Sequence, residues 1–170
     1  MINAHFSGEK IVSSSSEAFS LYEKSLIGEK KGNRIEYSSV EGLYLVSSGR
    51  MEIIVNGKIF SEDALIRKLK RKDKKIEVKF AVFSDLRRKG YIVKTALKFG
   101  AEFRVYDKGV KPGREHAKWI LFTVRENEQL TWHDFAAKNR IAHSTKKNLL
   151  IGIVDEEGEV VYYEVGWVKA

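Results

Sequence analysis

The carboxy-terminal half of the chain alternates between short apolar runs and polar turns, a pattern that predicts strands and helices of one sheet. Apolar residues recur every three or four positions from about Val78 to Lys89 and predict a helix that ends at Gly90. A second helix is predicted from Thr131, because Asp134 stands three residues later as in a capping box. Strands are predicted at 91–95, 102–106, 116–124, 149–154 and 160–165. Together these elements indicate a mixed α/β sheet.

The amino-terminal part of the chain predicts a smaller α+β unit. Ser38, with Glu41 three residues later, forms a capping-box pattern, and Gly49 ends the helix that begins there. Asn56 and Gly57 lie between two apolar runs and predict a β-hairpin with a type I′ turn. The other elements predicted here are a weak strand at 10–12, a helix at 17–26 and a basic helix from Ser61 to about Lys72.

A highly charged segment separates these two groups of elements. Residues 71–75 contain no apolar side chain and lie between two predicted helices, which is typical of a domain boundary. We therefore predict an α/β (α+β) protein with an amino-terminal α+β domain over residues 1–73 and a mixed-sheet α/β domain over residues 76–170. A hydrophobic content of 43% is sufficient for both to be packed.

The composition then narrows the classes of protein. No run approaches the roughly 20 apolar residues of a membrane helix, and the first residues lack the pattern of a signal peptide, so a cytoplasmic protein is expected. Without cysteine the chain forms no disulfide or thiolate metal site. Between Arg67 and Lys98, thirteen basic residues stand against three acidic ones. This concentration favours a phosphate-bearing partner, although a solvated helix face would produce the same pattern.

Three side chains with complementary acid–base chemistry lie at predicted strand ends. Tyr106 ends one strand, on the same face as Arg104, while His116 begins the next strand and Lys147 precedes a buried one. Such a set suits attack of an RNA 2′-hydroxyl on its neighbouring phosphate, without a metal ion. One group takes the proton, a second protonates the departing 5′-oxygen, and a cation stabilises the phosphorane. Taken alone, each residue of this type is more often structural than catalytic.

The sequence around these residues resembles the archaeal tRNA-splicing endonucleases. The resemblance rests on G-Y-I-V-K-T-A-L-K-F-G-A-E-F-R-V-Y ending at Tyr106, on His116 ten residues later and on A-H-S-T-K-K ending at Lys147. Segment 42–49 resembles the amino-terminal domain of that family, and segment 154–163 resembles its carboxy-terminal hairpin. The resemblance covers nearly the whole chain and is weakest over residues 1–35. It implies a homotetramer of short subunits, with a restriction-endonuclease-like fold in the second domain.

The resemblance also implies a function and a role for each candidate residue. Tyr106 would be the general base toward the 2′-hydroxyl, His116 the general acid and Lys147 the stabiliser of the phosphorane. The implied reaction cuts precursor tRNA at both intron junctions of a bulge-helix-bulge and leaves a 2′,3′-cyclic phosphate and a 5′-hydroxyl. It needs neither a metal ion nor another cofactor.

Two further features of the family concern RNA binding and assembly. An arginine seven residues before the catalytic lysine, here Arg140, is implied to stack on a base flipped out of a bulge. The opposing plane is either Tyr162 or Trp167, and the sequence does not decide between them. The loop between the last two strands is implied to enter a basic cleft of a neighbouring subunit. Its acidic residues are Asp155, Glu156 and Glu157.

Two alternative functions remain open at this point. The chain could be a non-catalytic RNA-binding or structural subunit of such an enzyme. It could also be a metal-dependent nuclease on a similar sheet, for which Asp63, Glu77 and Lys79 supply an Asp followed by Glu-x-Lys. His133 and His143 lie ten residues apart on one predicted helix, about 15 Å along its axis, too far to hold one metal ion together, which argues against a metal site there.

Overall fold

The computed structural model describes residues 1–97 and 100–170. Lys98 and Phe99, which belong to the basic segment and to the motif before Tyr106, lie outside the described residues. The chain divides into two compact units, residues 1–80 and 81–170. The domain limits predicted at 73 and 76 stay a prediction. Within the described part, no helix is long and apolar enough to cross a membrane.

The first unit combines a six-stranded sheet with helices. Its elements are β1 (Ile2–Ser7), β2 (Lys10–Ser13), α1 (Ser16–Ser25), β3 (Glu29–Lys31), β4 (Arg34–Tyr37), α2 (Ser39–Ser47), β5 (Met51–Val55), β6 (Lys58–Phe60) and α3 (Glu62–Lys72). The strand order is β3-β4-β2-β1-β5-β6, and β1 pairs with β5 in parallel. The predicted hairpin at Asn56-Gly57 and the helix capped by Ser61 are confirmed.

Strand β1 and the hairpin β3–β4 were missed by the sequence pattern. In β1 the apolar Ile2, Ala4 and Phe6 do alternate with polar residues, but over a single stretch of only six residues. Strand β3 consists of three exposed charged residues at the edge of the sheet. Its partner β4 contributes Ile35 and Tyr37 to the core. Backbone pairing to a core strand, rather than side-chain burial, therefore holds β3 in place.

A buried carboxylate fastens α2 to the segment after α1. The predicted capping box is confirmed, since the Ser38 hydroxyl accepts from the Glu41 amide and the Glu41 carboxylate accepts from the Ser38 amide (2.9 Å). Glu41 is only 6% exposed, and its second oxygen accepts the Gly28 amide at 2.9 Å. Gly28 has φ +86°, and a Cβ there would lie 2.6 Å from the Ile35 side chain. Only glycine allows this close approach.

The second unit is built on a five-stranded mixed sheet. Its elements are α4 (Ile76–Arg88), inside which the two units divide, β7 (Ile92–Thr95), β8 (Phe103–Tyr106), β9 (Trp119–Arg125), α5 (Trp132–Ser144), β10 (Asn148–Val154) and β11 (Val160–Val165). The strand order is β11-β10-β9-β8-β7; β9 and β10 run parallel and the other neighbours antiparallel. The predicted fold class and the Thr131–Asp134 capping box are confirmed.

Helices cover both faces of this sheet. On one face, α5 packs on the side chains of β9 and β10, in a cluster that includes Ile120, Leu149 and Ala142. On the other face, the Phe83 ring of α4 lies 5.9 Å from the Phe103 ring of β8. The faces are called below the α5 side and the α4 side.

We expect the Glu41 network to dominate the stability of the first unit. Glu41→Ala removes a buried acceptor of two backbone amides and should lower the free energy of unfolding by about 2–4 kcal/mol. Asp134→Ala is the matched control, because it breaks the same capping geometry at an exposed position. It should lower the free energy of unfolding far less than Glu41→Ala does. Chemical denaturation followed by far-ultraviolet circular dichroism measures both. Equal losses would show that burial of Glu41 contributes nothing.

Candidate active site

Strand register brings two of the candidate residues to the same end of the second sheet. Val105 of β8 pairs with Trp119 of β9, and Trp119 pairs with Asn148 of β10. Tyr106 follows Val105 in a strand antiparallel to β9, whereas Lys147 precedes Asn148 in a strand parallel to β9. Both therefore extend beyond this row in the same direction. Two strand spacings separate their backbones, a distance of roughly 10 Å.

Tyr106 is held firmly by the sheet that it ends. It pairs with Ile92 of β7 and is 5% exposed. Arg104, two residues earlier, pairs with Ile120, which belongs to the cluster under α5. Because side chains alternate along a strand, Arg104 and Tyr106 both lie on the α5 side. The predicted strand that carries both residues is confirmed.

His116 lies on the loop that enters the same end of the sheet. The prediction that it begins strand β9 was wrong, because the strand begins at Trp119, three residues later. The β8–β9 ladder opens with the Lys118 amide donating to the Val105 carbonyl at 3.0 Å, and Ala117 is buried. His116 itself is exposed just before this anchored segment. Its imidazole is thus accessible from solvent at the end where Tyr106 and Lys147 lie.

Lys147 is positioned by the turn that ends α5. Its amide donates to the Ala142 carbonyl at 2.8 Å, and the preceding Lys146 has φ +58°, which reverses the chain. The Lys147 Nζ donates to the Thr145 carbonyl at 3.1 Å, and the side chain is half-buried. Burial, and after it the positive charge of Arg104, lower the pKa of Lys147 below its ordinary value.

A basic pocket with a volume of about 590 Å³ adjoins Lys147 on the α5 side. Its lining includes Lys146, Lys169 and His143, whose ring stacks on Trp167 with centroids 4.0 Å apart. Among the lining residues that the structure describes, none is acidic. The pocket is therefore suited to an anionic or aromatic group. The sequence pattern did not reveal Lys169 as part of it, because the approach of Lys169 depends on how the carboxy terminus returns to α5.

The candidate stacking residues lie on different sides of the sheet. Arg140 is exposed on α5, the helix whose His143 contacts Trp167. The Tyr162 hydroxyl instead donates to Asp85 of α4 at 2.8 Å, so Tyr162 lies on the α4 side. The structure thus associates Trp167, and not Tyr162, with the helix that carries Arg140.

The acidic loop between β10 and β11 has two kinds of side chain. The Asp155 carboxylate accepts the amides of Glu157 and Glu159, each at 2.9 Å, and so organises the turn. Glu156 and Glu157 are exposed. The edge strand β11 also exposes large apolar side chains, with Val161 at 56% and Tyr163 at 60%. An exposed apolar edge of this kind favours pairing with another chain.

The residues considered for a metal site lie on helices. Asp63 stands in the first turn of α3, and Glu77, in the first turn of α4, pairs with Lys70 at 2.8 Å. Over residues 1–97 and 100–170, no three His, Asp or Glu side chains are grouped closely enough to hold a metal ion.

Comparisons with known proteins cover almost the whole chain. The family model described as tRNA intron endonuclease, catalytic C-terminal domain, matches residues 76–162, and the N-terminal domain of the same family matches residues 2–66. The chain is 39% identical over 170 residues to a tRNA-splicing endonuclease of Pyrococcus abyssi, covering 99% of this chain and 98% of that protein. It is 41% identical over 155 residues to a tRNA-splicing endonuclease of Nanoarchaeum equitans, covering 85% and 99%. For that of Methanothermobacter thermautotrophicus the identity is 34% over 164 residues, covering 95% of each.

We expect Lys147 to titrate at lower pH in the folded protein than in the urea-unfolded chain. The measurement is NMR of ¹³C-methylated lysines, with Lys147→Arg assigning the signal. Between the folded and unfolded pKa values the unfolded chain binds more protons, so Lys147 makes the free energy of unfolding rise with pH in that window. A folded pKa at or above the unfolded one would contradict the half-buried placement.

Proposed function

The chain belongs to the tRNA intron endonuclease family, and on that premise we propose that it cuts precursor tRNA at both intron junctions of a bulge-helix-bulge. One observation carries this proposal, namely that strand register and loop connection bring Tyr106, His116 and Lys147 to one end of the sheet. All three lie within the range matched by the catalytic domain of the family. Side chains of this length can reach one phosphate across roughly two strand spacings.

In the proposed reaction each of the three residues has one task. Tyr106 takes the proton of the 2′-hydroxyl, whose oxygen attacks the adjacent phosphorus. His116 donates a proton to the 5′-oxygen as its bond to phosphorus breaks, leaving a 2′,3′-cyclic phosphate and a 5′-hydroxyl. Imidazole suits this task because it exchanges protons near neutral pH. The Lys147 ammonium stabilises the phosphorane, and its partial burial strengthens that attraction because less water screens it. No metal ion takes part.

RNA recognition in this proposal combines phosphate contacts with capture of a bulge base. The exposed Arg140 guanidinium stacks on the flipped base, and Trp167, which stacks on His143 of the same helix, supplies the opposing aromatic plane. The basic pocket beside Lys147 receives the phosphate or base that flanks the cut bond. Recognition of this kind depends on RNA shape more than on sequence.

The proposed assembly is a homotetramer located in the cytoplasm. The exposed edge of β11 with Val161 and Tyr163 pairs across a dimer, and the acidic loop inserts into a basic cleft of a neighbouring subunit. Two active subunits then face the two scissile bonds of one precursor tRNA.

Replacement of His116 tests the reaction. We expect His116→Ala to lower the single-turnover cleavage rate of a bulge-helix-bulge RNA by at least about 100-fold, because the departing oxygen loses its proton donor. RNA binding, measured by filter retention, should change little, since His116 is exposed and precedes β9. His133→Ala is the matched control at another exposed histidine and should cleave normally.

The same assay distinguishes the proposal from its alternatives. Unreduced cleavage by the His116 variant would remove His116 from the mechanism. Loss of wild-type cleavage in excess EDTA would favour a metal-dependent nuclease. Binding of RNA by the wild-type chain without cleavage would favour a non-catalytic subunit. A 2′-deoxy nucleotide at the cut position should block cleavage while preserving binding.

Neutralising the acidic loop tests the assembly. We expect Glu156→Gln combined with Glu157→Gln to lower the mass measured by light scattering, because the loop loses its attraction to a basic cleft. Asp155 is left in place, since its carboxylate organises the turn. Glu23→Gln with Glu126→Gln is the control, which removes the same charge at other exposed positions. An unchanged mass in the loop variant would contradict the insertion.

A further inference from the structure

Arg104 is a basic side chain of the α5 side that the proposed reaction does not use. It lies on β8 two residues before Tyr106 and on the same face of the sheet. Its strand neighbours are Lys94 of β7 and Ile120 of β9. Arg104 is therefore one step further into the sheet than Tyr106, between another cation and the apolar cluster under α5.

The guanidinium of Arg104 is poorly compensated. Its Nε is buried, and the described residues provide no hydrogen-bond partner for that atom. Glu102, the acidic residue two positions earlier, instead accepts the Thr123 amide. The residue directly across the strand pair, Lys94, carries the same charge as Arg104. A partly buried guanidinium in such surroundings is unfavourable until an anion approaches it.

Lys147 is a further cation in this region. Leu149, two residues after Lys147, aligns with Ile120 of β9, which in turn aligns with Arg104 of β8. Lys147 therefore lies two residues beyond the row of strand partners that contains Arg104. The two charges are close enough for Arg104 to disfavour the protonated form of Lys147 and lower its pKa, after the larger effect of burial. The other titratable side chains among the described residues that line the pocket with Lys147 are His143, Lys146 and Lys169, and none of these three is acidic.

We propose that Arg104 is a positioning residue of the cleavage site, whose guanidinium repels the Lys147 ammonium toward the scissile phosphate and adds a second positive charge beside it. This inference rests on the proposed function. A phosphodiester carries one negative charge, and attack by the deprotonated 2′-oxygen gives a phosphorane that carries two. A pair of cations therefore stabilises the phosphorane more than the bound substrate, and such a difference accelerates the reaction.

The arrangement has a consequence for the protein without RNA. Two like charges held near each other lower the stability of the fold, and removal of the Arg104 charge should remove this repulsion. An arginine with a merely structural role would behave in the opposite way, since its loss would destabilise the fold. Stability and cleavage should thus change in opposite directions when the charge of Arg104 is removed.

The test uses Arg104→Met, which keeps most of the length of the side chain, and Arg104→Lys, which keeps the charge. With saturating bulge-helix-bulge RNA, we expect the methionine variant to cleave about 10–100-fold more slowly in a single turnover. Its Kd for the RNA should change less than about threefold, because most phosphate contacts remain. The lysine variant should stay within about fivefold of wild type. Arg125→Met is the matched control, at an exposed arginine that ends β9 on the α4 side of the sheet. This variant should cleave at the wild-type rate.

Two measurements without RNA complete the test. In the methionine variant the pKa of Lys147 should rise, as followed by NMR of methylated lysines, because a repelling charge is gone. Its Tm at low salt should equal or exceed that of wild type, and inorganic phosphate should raise its Tm less than it raises that of wild type.

Three results would overturn the inference. These are normal cleavage by Arg104→Met, an unchanged pKa of Lys147 in that variant, and equal impairment of both Arg104 variants together with a lowered Tm. Failure of the proposed function is a separate result, in which the wild-type chain does not cleave bulged RNA. If the wild-type chain does not cleave, the pKa of Lys147 and the rise in Tm caused by inorganic phosphate still test the role of Arg104.

Discussion

The pairing of three strands in one register is the constraint on which the candidate site depends. Val105, Trp119 and Asn148 form a single row, and Tyr106 and Lys147 are placed by their offset of one residue from that row. The parallel pair β9–β10 requires a crossover, and α5 supplies it. The end of α5 therefore delivers Lys147 to the edge where β8 ends and β9 begins. A shift of β8 by one residue would turn Tyr106 and Arg104 to the α4 side.

The same register explains why the site is positively charged and why nearby acidic residues do not neutralise it. Arg104 and Lys94 face each other across β7 and β8, and Lys147 adds a third charge near the α5 side of the same sheet. Acidic residues close by in sequence are occupied elsewhere: Glu102 accepts the Thr123 amide, and Asp107 approaches Lys118 to 3.6 Å. In the proposed reaction this excess of cations provides the electrostatic stabilisation that other nucleases obtain from metal ions. The proposal therefore implies that stability without RNA is exchanged for affinity toward the phosphorane.

Local patterns predicted the parts of this structure that local interactions determine. The capping boxes at Ser38 and Thr131 and the hairpin at Asn56 were all visible because each depends on residues within a few positions. The edge strand β3 was not, because its three exposed charged residues gain their order from pairing with β4.

The same distinction applies to the candidate site. The sequence and its family resemblance pointed to Tyr106, His116 and Lys147, which stay a prediction as catalytic residues. The buried Nε of Arg104 and the separation of Trp167 from Tyr162 could not be predicted, because both follow from the register of distant strands. The start of β9 was misplaced for a related reason. His116 and the residues after it have strand-like alternation, but β8 is too short to pair with them.

The number of basic residues in a segment of the sequence also differs from the number that are available to bind an RNA phosphate. In the basic segment, Lys70 pairs with Glu77, Lys72 with Glu9 and Lys79 with Asp73, each at 2.7 or 2.8 Å. These pairs already neutralise part of the excess that suggested a nucleic acid, and several are exposed enough for salt to screen them. The lining of the pocket beside Lys147, in contrast, combines basic side chains without an acid among its described residues. A phosphate binds more favourably where it need not displace a protein anion. The smaller group of cations in the second unit is therefore the stronger argument for RNA binding.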